Sequence, residues 1–270
     1  MMRAALQWLG FFAMLACPAL SAAADASATA DRLTLMVAGS TLSHSDDGGG
    51  AAVGWLHNFN ADTVLGAAVD YQTIADSHWT FGSLTLVQGF GPAVRRANLY
   101  AEAHVGSGRD DVHSYDYSIF AAGLFQNLTR QLSVQLEDRQ IDIDTTHGNL
   151  PKIGLQYLWS PSLSSALSYS HSVSGDLGTR LAVLRIDRYS KAVNLIVGGA
   201  TGKASPAVLD LQTGITTPGL TLHEYFAGVG RTFSRADVTL LADYLKLADT
   251  ERVTLTLNCT VRLGRAGAAR

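Results

Sequence analysis

Two short polar stretches carry residue types that activate a water molecule: Asp111-Val112-His113 and Asp142-Ile143-Asp144. A carboxylate beside an imidazole can orient water and accept its proton, so Asp111, His113, Asp142 and Asp144, gathered at one rim, would make a hydrolase. The spacing is unspecific, because such patterns arise by chance in solvated loops. Other candidates fail on geometry. His171 has the opposite parity from Ser170, Ser172 and Ser174, so in an extended strand the imidazole and the hydroxyls point to opposite sides and no serine is activated. The same holds for His223 beside Glu224. Around Lys203 the phosphate-loop spacing falls on Val197 where glycine is required. Asp46 and Asp47 ahead of Gly48, Gly49 and Gly50 lack the ligand spacing of a calcium loop. The eight histidines form no metal-ligating pattern. No cofactor, metal or nucleotide is expected.

The element that would position any of these residues is the β-strand. In the segment 252–263, Val253, Leu255, Leu257, Cys259, Val261 and Leu263 alternate with Arg252, Thr254, Thr256, Asn258, Thr260 and Arg262, the signature of one greasy and one wet face. Similar segments are expected at 32–40, 50–60, 63–74, 79–88, 95–106, 115–127, 131–141, 150–160, 163–174, 179–188, 191–201, 219–233 and 236–247. That gives about fourteen strands, or about twelve if a weak pair fails. The least regular is 179–188, where Arg180, Arg185, Asp187 and Arg188 occupy both parities. Links are tight at 60–62, 89–94, 128–130, 161–162, 189–190 and 234–235, and longer and more polar at 41–49, 107–114, 142–149 and 202–218. Short periplasmic turns and longer external loops are the habit of outer-membrane barrels.

The chain opens with Arg3, an apolar run from Leu6 to Ala16 and the small residues Ser21, Ala22, Ala23 and Ala24, the three parts of a signal peptide. Cleavage after Ala24 is expected, dividing the chain into a leader at 1–24 and one domain at 25–270. Cys17 as a lipoprotein acceptor is the alternative, with Met14 and Pro18 speaking against it. Loss of the leader leaves Cys259 as the only cysteine, so no internal disulfide can form. The formal net charge of −3 has no like-charge block, which argues against a nucleic-acid partner.

An exported chain with greasy-sided strands and few residues left for a core is expected to be all-β: an antiparallel transmembrane β-barrel of a bacterial outer membrane, its greasy face on lipid. The wet face would then line the lumen with Asp70, Gln72, Glu102, His104, Glu137, Arg139, Lys152, Gln156, Glu224 and Asp243. Leu84, Leu86, Phe120, Leu124 and Leu158 take the inward parity in this register and would partly plug it; a slip of one residue reverses that. Aromatic residues near strand ends, among them Trp55, Phe59, Tyr71, Trp79, Phe81, Phe90, Tyr115, Tyr117, Phe125, Tyr157, Trp159, Tyr225, Phe233 and Tyr244, suit girdles at the two interfaces. The final strand ends on Leu263, where bacterial barrels usually place an aromatic residue.

The C-terminal half, through Gly154-Leu155-Gln156-Tyr157-Leu158-Trp159-Ser160-Pro161-Ser162-Leu163, Asp187-Arg188-Tyr189, Gly198-Gly199-Ala200-Thr201-Gly202 and the hairpins from Leu222 to Leu263, resembles the YaiO-like outer-membrane β-barrel family. The resemblance implies a leadered outer-membrane barrel in the company of polysaccharide-export proteins, and supplies no catalytic residues. The expected role is a non-enzymatic pore, export accessory or structural barrel for a polar solute or saccharide, in contact with outer-membrane lipid and lipopolysaccharide. The alternatives are a surface hydrolase with a rim site and a periplasmic β-sandwich that binds a ligand.

Overall fold

The computed structural model describes residues 31–43, 47–74, 77–109, 113–144, 146–175, 177–190, 193–204, 220–247 and 250–263. The expected leader and most of the link expected at 202–218 lie outside the described residues. Within them run β1 (Asp31–Leu42), β2 (Gly48–Asn58), β3 (Thr63–Ile74), β4 (Ser77–Phe90), β5 (Ala97–Arg109), β6 (Ser114–Asn127), β7 (Leu132–Ile143), β8 (Thr146–Asn149), β9 (Lys152–Ser160), β10 (Leu163–His171), β11 (Ser174–Gly175), β12 (Arg180–Arg188), β13 (Asn194–Ala204), β14 (Leu220–Thr232), β15 (Ala236–Leu247) and β16 (Thr250–Leu263).

All pairings are antiparallel, and the sheet closes on itself. At one seam β1 meets β16 from Asp31↔Leu263 to Leu42↔Arg252, and at another β7 meets β9 from Leu132↔Tyr157 to Glu137↔Lys152. Fourteen long strands form the wall. The short β8 and β11 extend it at one end, β8 on the outer half of β7 and β11 on β8. Closure gives every long strand two neighbours, which satisfies backbone N–H and C=O groups where no water can. A single closed sheet also replaces the two-layer sandwich considered from sequence.

Outward residues are large, apolar and exposed, among them Leu35, Val37, Leu84, Leu99, Leu136, Leu155, Leu167, Leu184, Val197, Leu240, Leu255 and Leu257. A contiguous apolar exterior of this extent has lipid as its natural solvent. Aromatic rings border it at both ends: Trp55, Phe59, Phe90, Trp159 and Phe233 toward the short turns, and Tyr71, Tyr169 and Tyr225 toward the opposite end.

Two strands run with a parity opposite to that expected. Leu84, Leu86, Phe120 and Leu124 face outward; only Leu158 keeps the inward parity, opposite the buried Ser164. In their place Trp79, Phe81, Tyr115, Tyr117 and Phe125 turn inward and leave the girdles. β4 and β6 carry large apolar residues on both faces, so alternation cannot orient them. Their neighbour β5 can. Its polar side, Asn98, Tyr100, Glu102 and His104, is buried within, and Leu84 and Leu86 pair with the outward Ala103 and Ala101. Glycines on β5 then make room for the inward rings. A Cβ at Gly108 would lie 2.3 Å from the Trp79 ring, and one at Gly106 2.7 Å from the Phe81 ring.

The link expected at 142–149 is also different. Asp142 belongs to β7, and Thr146–Asn149 pair back onto it as β8.

Candidate functional site

The ten sequence-chosen lumenal residues, Asp70, Gln72, Glu102, His104, Glu137, Arg139, Lys152, Gln156, Glu224 and Asp243, all take the inward parity. The structure groups them unequally.

The densest group crosses β5, β6, β7 and β9 along one register row, Tyr100↔Gly123↔Glu137↔Lys152. Gly123 is required there: a Cβ would meet the Tyr100 ring 2.3 Å away. The ring lies across the glycine and its hydroxyl donates to Glu137 Oε2 at 2.5 Å. The same oxygen accepts from Lys152 Nζ at 3.1 Å and from Gln135 Nε2 at 3.3 Å, while Gln135 also donates to the Tyr100 oxygen at 2.8 Å. Arg139 Nη2 lies 3.0 Å from Glu137 Oε1. One row further on, Glu102 sits 3.6 Å from His104 Nε2. Charge-assisted bonds of this kind fix both partners. Acidic and basic groups are therefore interleaved on one wall rather than set on opposed walls.

A second group lies across the lumen. Glu224 and Asp243 face the lumen on the neighbouring strands β14 and β15, and Arg252 Nη2 is 3.9 Å from Asp243 Oδ1. A third is local to β12, where Arg185 grips Asp187 with bonds of 2.7–2.9 Å from its Nε and Nη2. This accounts for the irregular charges of that strand. Arg185 and Asp187 turn inward and neutralise each other, while Arg180 and Arg188 face outward at its ends. Tyr100, Gln135 and Arg252 lie on faces that alternation assigns to the interior, but what they bond to depends on cross-strand register and, for Tyr100, on a glycine in the next strand. Arg185 and Asp187 sit on the strand whose charges occupy both parities, and their pairing is not readable from alternation.

Asp70 and Gln72 stand apart. They are 2 % and 1 % exposed, and among the described residues none of their side-chain oxygen or nitrogen atoms has a hydrogen-bond partner. Gln156 is inward and half-buried between Ser133 and Ala166.

Along its length the lumen changes character. At the long-link end it is filled by Trp79, Phe81, Tyr115, Tyr117, Ile119, Ile141, Ile143, Leu150 and Leu177 on one side and by Ala200, Ala204, Leu222 and Leu245 on the other. Trp79 stacks on both Phe81 and Tyr115, with centroids 5.9 and 5.8 Å apart. Toward the short turns many inward residues are polar and half-buried, including Ser83, Thr85, Ser133, Gln135, Gln156, Ser168, Asn258 and Thr260.

The described rim candidates, His113, Asp142 and Asp144, do not converge. Asp111 lies outside the described residues. His113 leans over Tyr115, whose ring is in the lumen, whereas Asp142 faces the outside of the barrel and is exposed. Asp144 occupies a turn with φ of 50°, its N–H bonded to the Asp116 carbonyl at 3.0 Å. Among the described residues no three His, Cys, Asp or Glu side chains gather as metal ligands.

No protein-family model and no curated protein sequence matches the chain. Solved structures do. The monoaromatic hydrocarbon channel CymD is 9 % identical, with a TM-score of 0.58 over 88 % of this chain and 90 % of that one. The Pseudomonas putida toluene transporter TodX is 8 % identical, with a TM-score of 0.54 over 87 % and 90 %. The Acinetobacter baumannii outer membrane protein Omp33 is 12 % identical, with a TM-score of 0.53 over 87 % and 99 %. At such identities the likeness is one of fold: this chain is a barrel of the outer-membrane type.

Proposed function

We propose that the chain is a non-enzymatic outer-membrane barrel that conducts a polar solute, exported by the leader at 1–24 and working as one domain, 25–270. The observation that carries this reading is the inner face. Polar and ionisable side chains line much of the interior of a barrel whose exterior is apolar, and half-buried polar groups remain accessible toward the short turns. A purely structural barrel has no need of inward charge, which costs desolvation wherever it is not paired.

A saccharide or another hydroxylated solute fits this lining better than a hydrocarbon, because the accessible groups are hydroxyls and amides. Hydrocarbon passage is named for CymD and TodX, whose fold is shared. A role beside YaiO-like, polysaccharide-export barrels belongs to this same reading, and outer-membrane lipid and lipopolysaccharide are its surroundings.

A second reading, a barrel closed at rest, is favoured by the apolar layer around Trp79 and Ile143. Recording single-channel current from the detergent-purified protein in a planar bilayer separates the two. A pore gives discrete steps whose ion preference shifts on Glu137→Gln or Arg139→Gln. Absence of steps from a protein that still migrates differently heated and unheated on a gel sinks the pore reading and leaves the closed barrel.

A further inference from the structure

The outward face carries an arrangement that the lumen does not explain. At the end opposite the short turns, His171 pairs with Arg180 and Arg180 with Lys203 across β10, β12 and β13. All three take the outward parity and are exposed. Like charges directly opposite one another destabilise a sheet. Among the described residues no carboxylate forms an ion pair with Arg180 or Lys203. Of the outward carboxylates toward this end, Asp116, Asp138 and Asp142 lie on β6 and β7, and Glu251 on β16 is paired with Lys246.

Directly membrane-ward of His171 the barrel wall is dented. A depression of about 850 Å³ is lined by Ala122 and Gly123, by Leu136, Ile153 and Tyr169, and by His171. Leu136↔Ile153↔Tyr169 form one register row, so the dent opens onto the apolar belt. Its volume falls in the range of pockets that hold a small molecule. Asp138 is the outward carboxylate among its lining residues, and it accepts a bond of 3.4 Å from Asn149 Nδ2.

We propose that this face is a lipid site: the phosphate of a phosphorylated outer-leaflet lipid lies on Arg180 and Lys203 beside His171, and one of its acyl chains fills the depression above Ala122. An anion between the two cations removes their repulsion. A guanidinium offers it a forked pair of donors and the ammonium a point charge. A free phosphate would use only the upper half of the site, and an uncharged lipid only the lower half. The proposal rests on the outer-membrane placement of the barrel but not on whether its lumen conducts.

The test is native mass spectrometry of the detergent-solubilised barrel titrated with lipid A bearing its phosphates, with the same lipid dephosphorylated, and with inorganic phosphate. The expected result is a bound adduct only with the phosphorylated lipid, at an apparent affinity lowered at least about tenfold by Arg180→Gln with Lys203→Gln. Ala122→Trp, which fills the depression, is expected to weaken the adduct with the cations intact. Equal binding of the dephosphorylated lipid, or equal binding by the charge variant, overturns the proposal. Inorganic phosphate bound as tightly as the lipid also overturns it and leaves a free-anion site. A heat-modifiable gel shift, required of every variant, keeps loss of binding separate from loss of fold. If the wild-type protein shows no such shift, the outer-membrane reading fails before the lipid site is reached.

Discussion

Single residues on the inner wall make opposite contributions to stability. Asp70 is buried with both carboxylate oxygens unpartnered, and an unsatisfied buried group costs about 1–3 kcal/mol, more when charged. Asp70→Asn is therefore expected to stabilise the barrel, raising the temperature at which the folded band is lost on an unheated gel series; a lowered temperature would mean that Asp70 has a partner in the membrane. Gly123 is the reverse case. Because its missing Cβ lets Tyr100 reach Glu137, Gly123→Ala is expected to break that bond and destabilise by about 1–3 kcal/mol. Tyr100→Phe, which removes the hydroxyl without overpacking, should cost less, and the same gel series ranks the two. None of this was legible in the sequence. Alternation gives the side to which Asp70 or Tyr100 points, whereas its partners depend on cross-strand register.

At the level of the strand, legibility followed contrast between faces. β5, β7, β9 and β16 alternate polar with apolar, and the expected faces are those observed. In β4 and β6 large apolar residues occupy both faces and the expectation failed, since the orientation comes from the polar side of the neighbouring β5, whose Gly106 and Gly108 make room for Phe81 and Trp79. The corrected register has a direct consequence. Leu86 faces lipid and its neighbour Thr85 faces the lumen. Leu86→Arg is expected to cost about 2–4 kcal/mol if it lies near the bilayer midplane and to lower the folded yield in vesicles. Thr85→Arg should fold normally. If the two variants exchange these outcomes, the observed register of β4 is wrong. The link at 142–149 differs from expectation for a related reason: Thr146–Asn149 reads as a polar loop, and only its pairing with β7 makes it a strand.

For the molecule as a whole, the decisive feature is the unequal filling of the lumen. Stacked aromatic and branched side chains occupy the long-link end, while hydroxyl and amide groups line the other. If the apolar layer sets the narrowest point, Trp79→Ala combined with Ile143→Ala raises single-channel conductance several-fold over wild type. Substituting Ser133 and Gln156, both in the polar half, leaves it nearly unchanged. Equal conductance from wild type and the Trp79 and Ile143 variant would place the constriction elsewhere. A barrel of about fourteen strands could be counted from turn spacing alone, but the state of its interior could not, because rings and aliphatic groups on two-faced apolar strands decide it.

The seam between β1 and β16 also sets a timetable. Its register brings Asp31 beside Leu263, joining the two most distant strands of the described chain. Contacts so remote in sequence are reached last, because loop-closure entropy is spent before they give any return. Until β16 arrives, the free edges of β1 and β15 are open templates for a neighbouring molecule. Assembly of this barrel is accordingly a race between self-closure and mispairing, and it is won only once the last strand is in place.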